Sequence, residues 1–136
     1  MAKVAAPKVA VAVRASLPFP DDFHKTVHFV RHGQGIHNEA ADRKGCGCTC
    51  HVDGDSCVYV DEAILDARLT ELGVSQAKGL LPLSTPLELD LVVVSPLNRA
   101  IQTALHGFSS CSAPFLAHED CREQMGQHIC DKRNPT

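Results

Sequence analysis

Apolar and polar residues alternate in the stretch KTVHFVR, which spans residues 25–31. An alternation of period two is typical of a β-strand and places Val27, Phe29 and Arg31 on one face. Leu91–Val94 instead form an unbroken apolar run rich in β-branched residues, which predicts a strand buried on both faces. The stretch APFLAHEDC, residues 113–121, is a shorter candidate strand. Three separate strands are therefore expected in this part of the chain.

Helical spacing of apolar positions follows Thr70, which predicts a helix that is capped by the Thr70 side chain and ended by Pro82. Pro96 suits the first turn of another helix, which is expected to close at Gly107. A further helix can begin after Gly33. The order strand, helix, helix, strand, helix, strand predicts an α/β fold with three layers, in which helices flank a mostly parallel sheet.

The length of 136 residues, with 44% hydrophobic and 21% charged residues, indicates one globular domain. Residues 1–22 are assigned to an N-terminal extension, disordered or forming an extra edge strand, and residues 23–136 to the domain. A targeting role for the extension is less favoured, because its apolar run VAVAV is short. A net charge of −3 argues against nucleic-acid and membrane partners. Seven cysteines, an odd number, argue against a complete disulfide framework and favour a cytoplasmic location.

Two of the predicted strands end in side chains that suit anion binding. The first ends at Arg31 and His32, and the Leu91–Val94 run is followed by SPLNR, which ends at Arg99. Since the carboxyl ends of parallel strands meet at one crevice, both arginines would converge there. Arginine binds phosphate through paired hydrogen bonds, and a neutral histidine can attack phosphorus. From the residues alone, a surface strand terminus without a role is the commoner explanation of Arg31 and His32.

Three segments, in this order, carry a recognisable pattern: FVRHGQGIHN at residues 29–38, DARLTELGVSQAKGL at residues 66–80 and VVVSPLNRAIQTA at residues 92–104. They closely resemble the signatures of the histidine phosphatase superfamily, also called the phosphoglycerate-mutase-like family. The wording REQMG…CDKR in residues 122–133 looks most like a eukaryotic, plant and fungal phosphomutase-like branch. The resemblance implies a phosphoglycerate-mutase-like fold and metal-independent chemistry without a cofactor.

The resemblance also implies roles for individual residues. His32 matches the histidine that becomes phosphorylated, and Arg31 and Arg99 match the arginines that hold the phosphoryl group. Asn38 matches a polar residue that lines the same pocket, and Gln34 is a weaker candidate for such a role. The expected phosphate site therefore combines these five residues.

A general-acid glutamate is also expected, in the family's context of a glutamate followed closely by a glycine. Glu123 has Gly126 three residues further on, and Glu119 is its competitor. Glu123 is the better match to the plant and fungal branch. Ser95 is expected to orient its loop rather than to react, although a role as a cap for the helix that Pro96 opens is equally compatible with the sequence.

The sequence departs from the family pattern in its C-terminal part. The family has a second catalytic histidine late in the chain, and His128 lies too close to Glu123 to match it well. The domain is therefore expected to be partial, truncated at its C-terminus. Such a form would be weakly active or inactive, because losing a group that stabilises the transition state costs orders of magnitude in rate.

A cysteine-rich loop at residues 45–57 is an insertion relative to the family pattern. Its possible metal ligands are Cys46, Cys48, Cys50, His51 and Cys57. The Cys-x-Cys-x-Cys spacing is tighter than that of common zinc sites, so we assign no metal. A flexible loop with incidental or redox-active thiols is the favoured interpretation.

The sequence therefore predicts a phosphatase that acts through a phosphohistidine intermediate on a small phosphorylated metabolite or a phosphoprotein. One alternative is a non-catalytic phosphate-binding or regulatory form, and another is a phosphoglycerate-type mutase. A metal-binding module formed by the cysteine loop is the third alternative.

Overall fold

The computed structural model describes residues 9–10, 25–45, 47–50, 57–123 and 128–133. The strands are β1 (Val9–Ala10), β2 (Phe29–Val30), β3 (Val92–Val94) and β4 (Phe115–Ala117). The α-helices are α1 (Ile36–Lys44), α2 (Glu71–Lys78), α3 (Leu81–Ser84) and α4 (Asn98–Gly107). Short 3₁₀ turns lie at Val58–Val60, Glu62–Ile64, Glu119–Cys121 and Ile129–Asp131. In these ranges, no helix is long and apolar enough to cross a membrane.

The four strands pair into two small sheets in the described ranges. β1 and β2 are antiparallel, with Val9 opposite Val30. β3 and β4 are parallel, with Val92 opposite Phe115, and helix α4 connects them. The mixture of helices with a parallel sheet agrees with the predicted α/β class, whereas the three-layer arrangement stays a prediction. β1 lies in the segment assigned to an N-terminal extension, most of which lies outside the described residues.

The prediction that β3 is buried on both faces is wrong for the described structure. Val93 is 49% exposed and Leu91 is 46% exposed, whereas Val92 and Val94 are half-buried. Helix α4 packs against β3, so one face of the strand is covered and the other faces outward. An unbroken apolar run permits burial of both faces but does not require it.

The prediction for the helix after Thr70 is confirmed at its start and wrong at its end. The Thr70 side chain accepts a hydrogen bond from the Gly73 N–H at 3.1 Å, so it is the N-cap of α2. Helix α2 ends at Lys78, and Pro82 lies in the first turn of α3. Proline is tolerated in a first turn, where its missing N–H costs no intrahelical hydrogen bond. Pro82 therefore starts a helix rather than ending one.

Helices α2 and α4 pack closely against each other and form the support for the strand ends. Ala77 in α2 and Ala104 in α4 are buried, as is Leu80, which follows α2. A Cβ atom on Gly107 would lie 3.0 Å from Leu80 Cδ1, so the small residue allows the close contact. The residues at this interface are aliphatic, in keeping with an aromatic content of only 4% in the whole chain.

The loop between β2 and α1 approaches the backbone of α2 so closely that two glycines are required. A Cβ atom on Gly33 would lie 2.5 Å from the Gly73 carbonyl oxygen. A Cβ atom on Gly73 would lie 2.1 Å from the Gln34 carbonyl oxygen. Since both obstacles are backbone atoms, neither side can move away cheaply. Gly33 and Gly73 are therefore both required by the same close contact between the loop and α2.

Replacing Gly73 by alanine is expected to lower the free energy of unfolding by about 1–2 kcal/mol. Alanine has the better helix propensity by about 1 kcal/mol, but overpacking costs about 1–3 kcal/mol and dominates here. Urea unfolding of Gly73→Ala measures this loss. Gly47→Ala is the matched control, because no atom lies within 4 Å of a Cβ at that position. Equal stability of the two variants would contradict the close approach.

Candidate active site

The loop that carries His32 is held by side chains from both packed helices. The Gly33 N–H donates to Thr103 Oγ1 of α4 at 3.0 Å, and the Gln34 N–H donates to Gln76 Oε1 of α2 at 2.8 Å. The Thr70 N–H donates to the Gln34 carbonyl oxygen at 3.0 Å. In the LTELGVSQA stretch, Thr70 thus caps α2, Gly73 leaves room for the loop, and Gln76 accepts a hydrogen bond from it. His32 is placed on a rigid support.

The hydrogen bonds of His32 define its tautomer. Its Nδ1 lies 2.7 Å from the Gly33 carbonyl oxygen, which can only accept, so Nδ1 carries the proton. Its Nε2 lies 3.2 Å from the Arg99 Nε–H, which can only donate, so Nε2 presents a lone pair. Since the backbone holds Nδ1–H and the ring is half-buried, Nε2 is oriented as a nucleophile.

The surroundings of His32 keep its imidazole neutral. Burial lowers the pKa of His32 below its ordinary value of 6.5, and the positive charges of Arg99 and Arg31 act in the same direction. The hydrogen bond to Gly33 and the carboxylate of Glu123 oppose this shift without reversing it. A neutral imidazole at pH 7 is the form that can attack an electrophile.

Arg99 lies at the centre of the site and is only 1% exposed. Besides contacting His32, its Nη1 donates to the Cys130 carbonyl oxygen and its Nη2 to Asp131 Oδ1, each at 2.7 Å. Its Nη2 is also 3.4 Å from Glu123 Oε2. A guanidinium with nearly all donors engaged has a fixed orientation. Arg99 can therefore direct charge and hydrogen bonds at whatever binds beside His32.

The two candidate general acids lie in different surroundings. The Glu123 carboxylate contacts Arg99, and its side chain is 66% exposed, so a leaving group can reach it. The Glu119 carboxylate forms ion pairs with Arg133 at 2.6 Å and with Arg122 at 3.6 Å. The structure thus brings Glu123, and not Glu119, to Arg99 and His32.

The remaining predicted phosphate ligands lie at the edge of this cluster. Arg31 is exposed and has no hydrogen-bonded partner among the residues that the structure describes. The Asn38 Oδ1 atom accepts from the Gly35 N–H at 2.9 Å, within the cap of α1. The Gln34 Oε1 atom accepts from the Thr70 hydroxyl at 2.8 Å. Both amides have structural partners, so their roles in phosphate binding stay predictions.

Asp66 binds the first N–H group of α4, whereas Ser95 lies in the turn before the helix and binds the N–H of Leu97, its N-cap residue. The Ser95 Oγ atom accepts from the Leu97 N–H at 3.4 Å. The Asp66 Oδ1 atom accepts from the Asn98 N–H at 2.8 Å, and its Oδ2 atom from the Asn98 side chain at 2.9 Å. The buried Asp66 carboxylate lies at the N-terminus of α4, where the helix dipole favours a negative charge. These contacts fix the start of the helix that carries Arg99.

Sequence reasoning missed two buried residues beside the site. Asp131 pairs with Arg99, and its position in the CDKR stretch carries no local signal for that contact. His37 is 7% exposed, and its ring centre lies 5.7 Å from that of His32. The spacing of His32 and His37 could have indicated neighbouring rings, because a strand end followed by a helix start folds the chain back.

Burial lowers the pKa of His37 from 6.5 to about 4, and the charges of Arg99 and His32 act in the same direction. Between these values the unfolded chain binds more protons than the folded one, so stability falls as the pH falls. We expect this group to remove about 2 kcal/mol from the free energy of unfolding between pH 7 and pH 5. Urea titrations at both pH values should show a smaller loss in His37→Gln. The exposed His28→Gln should retain the full loss, and equal losses in the two variants would contradict a neutral, buried His37.

Three cysteines of the loop after α1 meet His128, which comes from a distant part of the chain, near the site. The Sγ atoms of Cys48, Cys50 and Cys57 and a ring nitrogen of His128 all lie within 4.8 Å of one another. Cys46 and His51, which the sequence also offered as ligands, lie outside the described residues. His128, the weak match to a second catalytic histidine, faces this thiol cluster through its Nε2 atom, which is 3.0 Å from Cys48 Sγ.

Comparison with known proteins identifies the family of the chain. A family model described as the histidine phosphatase superfamily (branch 1) matches residues 61–129, which contain Arg99 and Glu123. The chain belongs to the histidine phosphatase superfamily. The resemblance inferred from the three sequence segments is thereby confirmed.

Curated relatives of this superfamily member come from plants and fungi. A phosphoglycerate mutase-like protein of Arabidopsis thaliana is 36% identical over 80% of this chain and 48% of its own length. A probable phosphoglycerate mutase of Arthroderma benhamiae is 37% identical over 76% of this chain and 35% of its own length. A probable phosphoglycerate mutase of Saccharomyces cerevisiae is 29% identical over 81% of this chain and 43% of its own length. The chain spans about half, or less, of the length of these relatives. No solved structure matches it significantly.

Proposed function

We propose that this superfamily member is a phosphatase that transfers a phosphoryl group from an ester to His32 and then to water. The observation that carries the proposal is the fixed neutral tautomer of His32, whose Nε2 lone pair faces the buried guanidinium of Arg99 at 3.2 Å. A nucleophile beside a fixed cation suits attack on an anionic electrophile such as a phosphate ester. The substrate is a small phosphorylated metabolite or a phosphoprotein.

Binding is the first step of the proposed reaction. The substrate phosphate accepts hydrogen bonds from Arg99 and Arg31. The Arg99 Nε–H, which donates to His32 Nε2 in the free protein, now donates to a phosphate oxygen instead. The Nε2 lone pair is then free, and phosphorus lies next to it. Because Arg99 is oriented by Asp131 and the Cys130 carbonyl oxygen, it does not have to reorganise when charge develops.

Transfer and hydrolysis follow. His32 Nε2 forms a bond to phosphorus while the bond from phosphorus to the ester oxygen breaks, and protonated Glu123 gives its proton to that oxygen. The Gly33 carbonyl oxygen, which accepts the hydrogen bond from Nδ1, stabilises the positive charge that develops on the ring. Water then attacks phosphorus while the bond from phosphorus to His32 Nε2 breaks and returns its electron pair to the ring; the Glu123 carboxylate takes the proton of the water, and inorganic phosphate leaves. Each residue returns to its initial protonation state.

A phosphoglycerate-type mutase is the alternative within the same chemistry, and the names of the relatives favour testing it. The two reactions differ only in what accepts the phosphoryl group from His32. A phosphatase releases inorganic phosphate from a generic aryl phosphate, whereas a mutase interconverts 2- and 3-phosphoglycerate. A non-catalytic phosphate-binding form would do neither but would still bind phosphate at Arg99. Assays of phosphate release and of isomerisation on the same preparation separate the three.

The role of Glu123 is tested through the leaving group. Glu123→Gln is expected to lower kcat/KM for an alkyl phosphate by about 100-fold or more. For 4-nitrophenyl phosphate, whose leaving group needs no proton, the loss should be much smaller. Glu119→Gln is the matched control, because it removes a carboxylate that pairs with Arg133 and Arg122 instead. Equal losses on both substrates would argue that Glu123 is not the acid.

A further inference from the structure

The cysteine loop and the segment that contains His128 meet in an arrangement that suits a transition metal. Cys48 Sγ lies 3.0 Å from His128 Nε2 and 4.0 Å from Cys57 Sγ, and Cys50 completes a group whose ligand atoms lie within 4.8 Å of one another. A tetrahedral zinc ion requires sulfur–sulfur distances of about 3.8 Å and sulfur–nitrogen distances of about 3.6 Å. The sulfur–nitrogen distance is shorter than its required value and the sulfur–sulfur distance slightly longer, and since all four atoms lie within 4.8 Å of one another, shifts of about 1 Å or less would complete the coordination.

We propose that Cys48, Cys50, Cys57 and His128 form a structural zinc site. Three thiolates and one neutral imidazole are a common ligand set for structural zinc. On binding, the three thiols release their protons and each sulfur and the His128 Nε2 donate a lone pair to the ion. All four positions are filled by protein, so the site has no open position for substrate.

The surroundings of His128 support this assignment. With Nε2 directed at the cysteines, its Nδ1 lies 3.8 Å from Asp131 Oδ2. A carboxylate behind the second ring nitrogen is the usual partner of a metal-bound histidine, because it fixes the tautomer and the ring orientation. The Tyr59 ring lies next to that of His128, with the two ring centres 4.9 Å apart. With Nε2 3.0 Å from Cys48 Sγ and a carboxylate on the side of Nδ1, the imidazole presents its metal-binding nitrogen to the thiols.

The sequence alone concealed this site. Cys48 and Cys50 are separated by one residue, and the expected second pair of ligands is replaced by Cys57 and a histidine 80 positions after Cys48. A zinc ion there would join the loop after α1 to the segment that carries Asp131. Asp131 in turn contacts Arg99, and Arg99 contacts His32. The metal would therefore stabilise the position of Asp131 without taking part in the reaction.

A competing group of possible ligands comprises His128, Cys130 and Asp131. It is less suitable, because Asp131 Oδ1 already pairs with Arg99 at 2.7 Å. It also offers only one thiol. The two arrangements differ in the number of sulfur ligands, and cobalt(II) absorption is sensitive to that number.

The test uses the full chain, purified with a reductant and supplied with zinc. Mass spectrometry of the metal content should give about one zinc per chain, and cobalt(II) should give the spectrum of a tetrahedral site with three thiolates. The double variant with Cys48→Ser and Cys50→Ser should lose both signals, and so should Cys57→Ser. Since Cys48 is exposed and Cys50 half-buried, the double variant is expected to keep its circular dichroism spectrum.

The control variants change cysteines and a histidine one at a time. Cys111→Ser and Cys121→Ser remove thiols outside the cluster and should each retain one zinc, whereas His128→Ala should weaken cobalt affinity by at least about 10-fold. Folded, reduced protein that takes up no zinc would overturn the proposal. So would zinc retained by both cluster variants, a spectrum with one thiolate, or a Cys48–Cys57 disulfide that persists in the presence of the reductant and zinc.

Discussion

Replacing His32 by alanine is expected to lower kcat against an aryl phosphate by at least about 1000-fold, because it removes the nucleophile of the proposed mechanism. KM should change much less, since Arg99 and Arg31 still bind the phosphate. The ring of His37 lies 5.7 Å away, but it is buried, and Arg99 Nε contacts His32 rather than His37, so His37 should not replace it. Steady-state kinetics of the purified variant measure the loss.

The control for this experiment is His28→Ala, which removes an exposed imidazole four residues earlier in the chain. Its activity should equal that of the unmodified protein. If His32→Ala retained a tenth or more of the original kcat, the phosphohistidine mechanism would be wrong. Equal losses in both variants would indicate a general effect on folding instead.

Replacing Arg99 by lysine is expected to lower kcat/KM by about 100-fold, although the charge is kept. Lysine provides one point charge, whereas the three guanidinium nitrogens of Arg99 bond in fixed directions to His32, the Cys130 carbonyl oxygen and Asp131. Arg99→Ala should in addition lower the free energy of unfolding by about 3–5 kcal/mol, because it leaves the buried Asp131 carboxylate without its partner.

Arg43 offers a matched control for the removal of an arginine. It lies on the surface of α1, where it pairs with Glu39 at 3.2 Å. Arg43→Ala should change stability by no more than about 0.5 kcal/mol and leave catalysis unchanged. Activity of Arg99→Lys within threefold of the unmodified protein would show that the guanidinium does not orient the phosphoryl group.

The part of the site that could be predicted from the sequence depends on local pattern. A strand before Arg31 and His32, and the helix that contains Arg99, could be predicted from the apolar pattern and from the proline and glycine beside the helix, although β2 is shorter than the predicted strand over residues 25–31 and ends at Val30. The sequence predicted their convergence from one parallel sheet, but β2 pairs with β1 and β3 with β4 in separate sheets, so the hydrogen bonds of the His32 loop to α2 and α4 bring the two ends together instead. The structure brings His32, Arg99 and Glu123 into one cluster, as expected.

Contacts between distant segments could not be predicted in the same way. Asp131 pairs with an arginine 32 residues earlier, and His128 faces a cysteine 80 residues earlier. Nothing in the local sequence distinguishes Asp131 from exposed acidic residues such as Asp120. The exposure of Val93 was likewise not predictable, because an apolar run does not state how many of its faces are covered. Tertiary packing decides these features.

Gly33 and Gly73 have a shared structural role that the sequence alone did not reveal. From the sequence, Gly33 and Gly73 were parts of two separate motifs. In the structure they form one contact, at which each backbone occupies the space of the other residue's missing side chain. The loop that presents His32 therefore depends on a residue 40 positions away along the chain.

The central claim is that His32 Nε2 becomes phosphorylated during turnover. The most direct measurement is rapid acid-free quenching of the protein with a ³²P-labelled aryl or alkyl phosphate, followed by peptide mapping. We predict phosphate on the peptide that contains His32, stable in alkali and lost in mild acid, and absent from His32→Ala. Turnover of the substrate without any label on that peptide, or label that persists in His32→Ala, would contradict the mechanism.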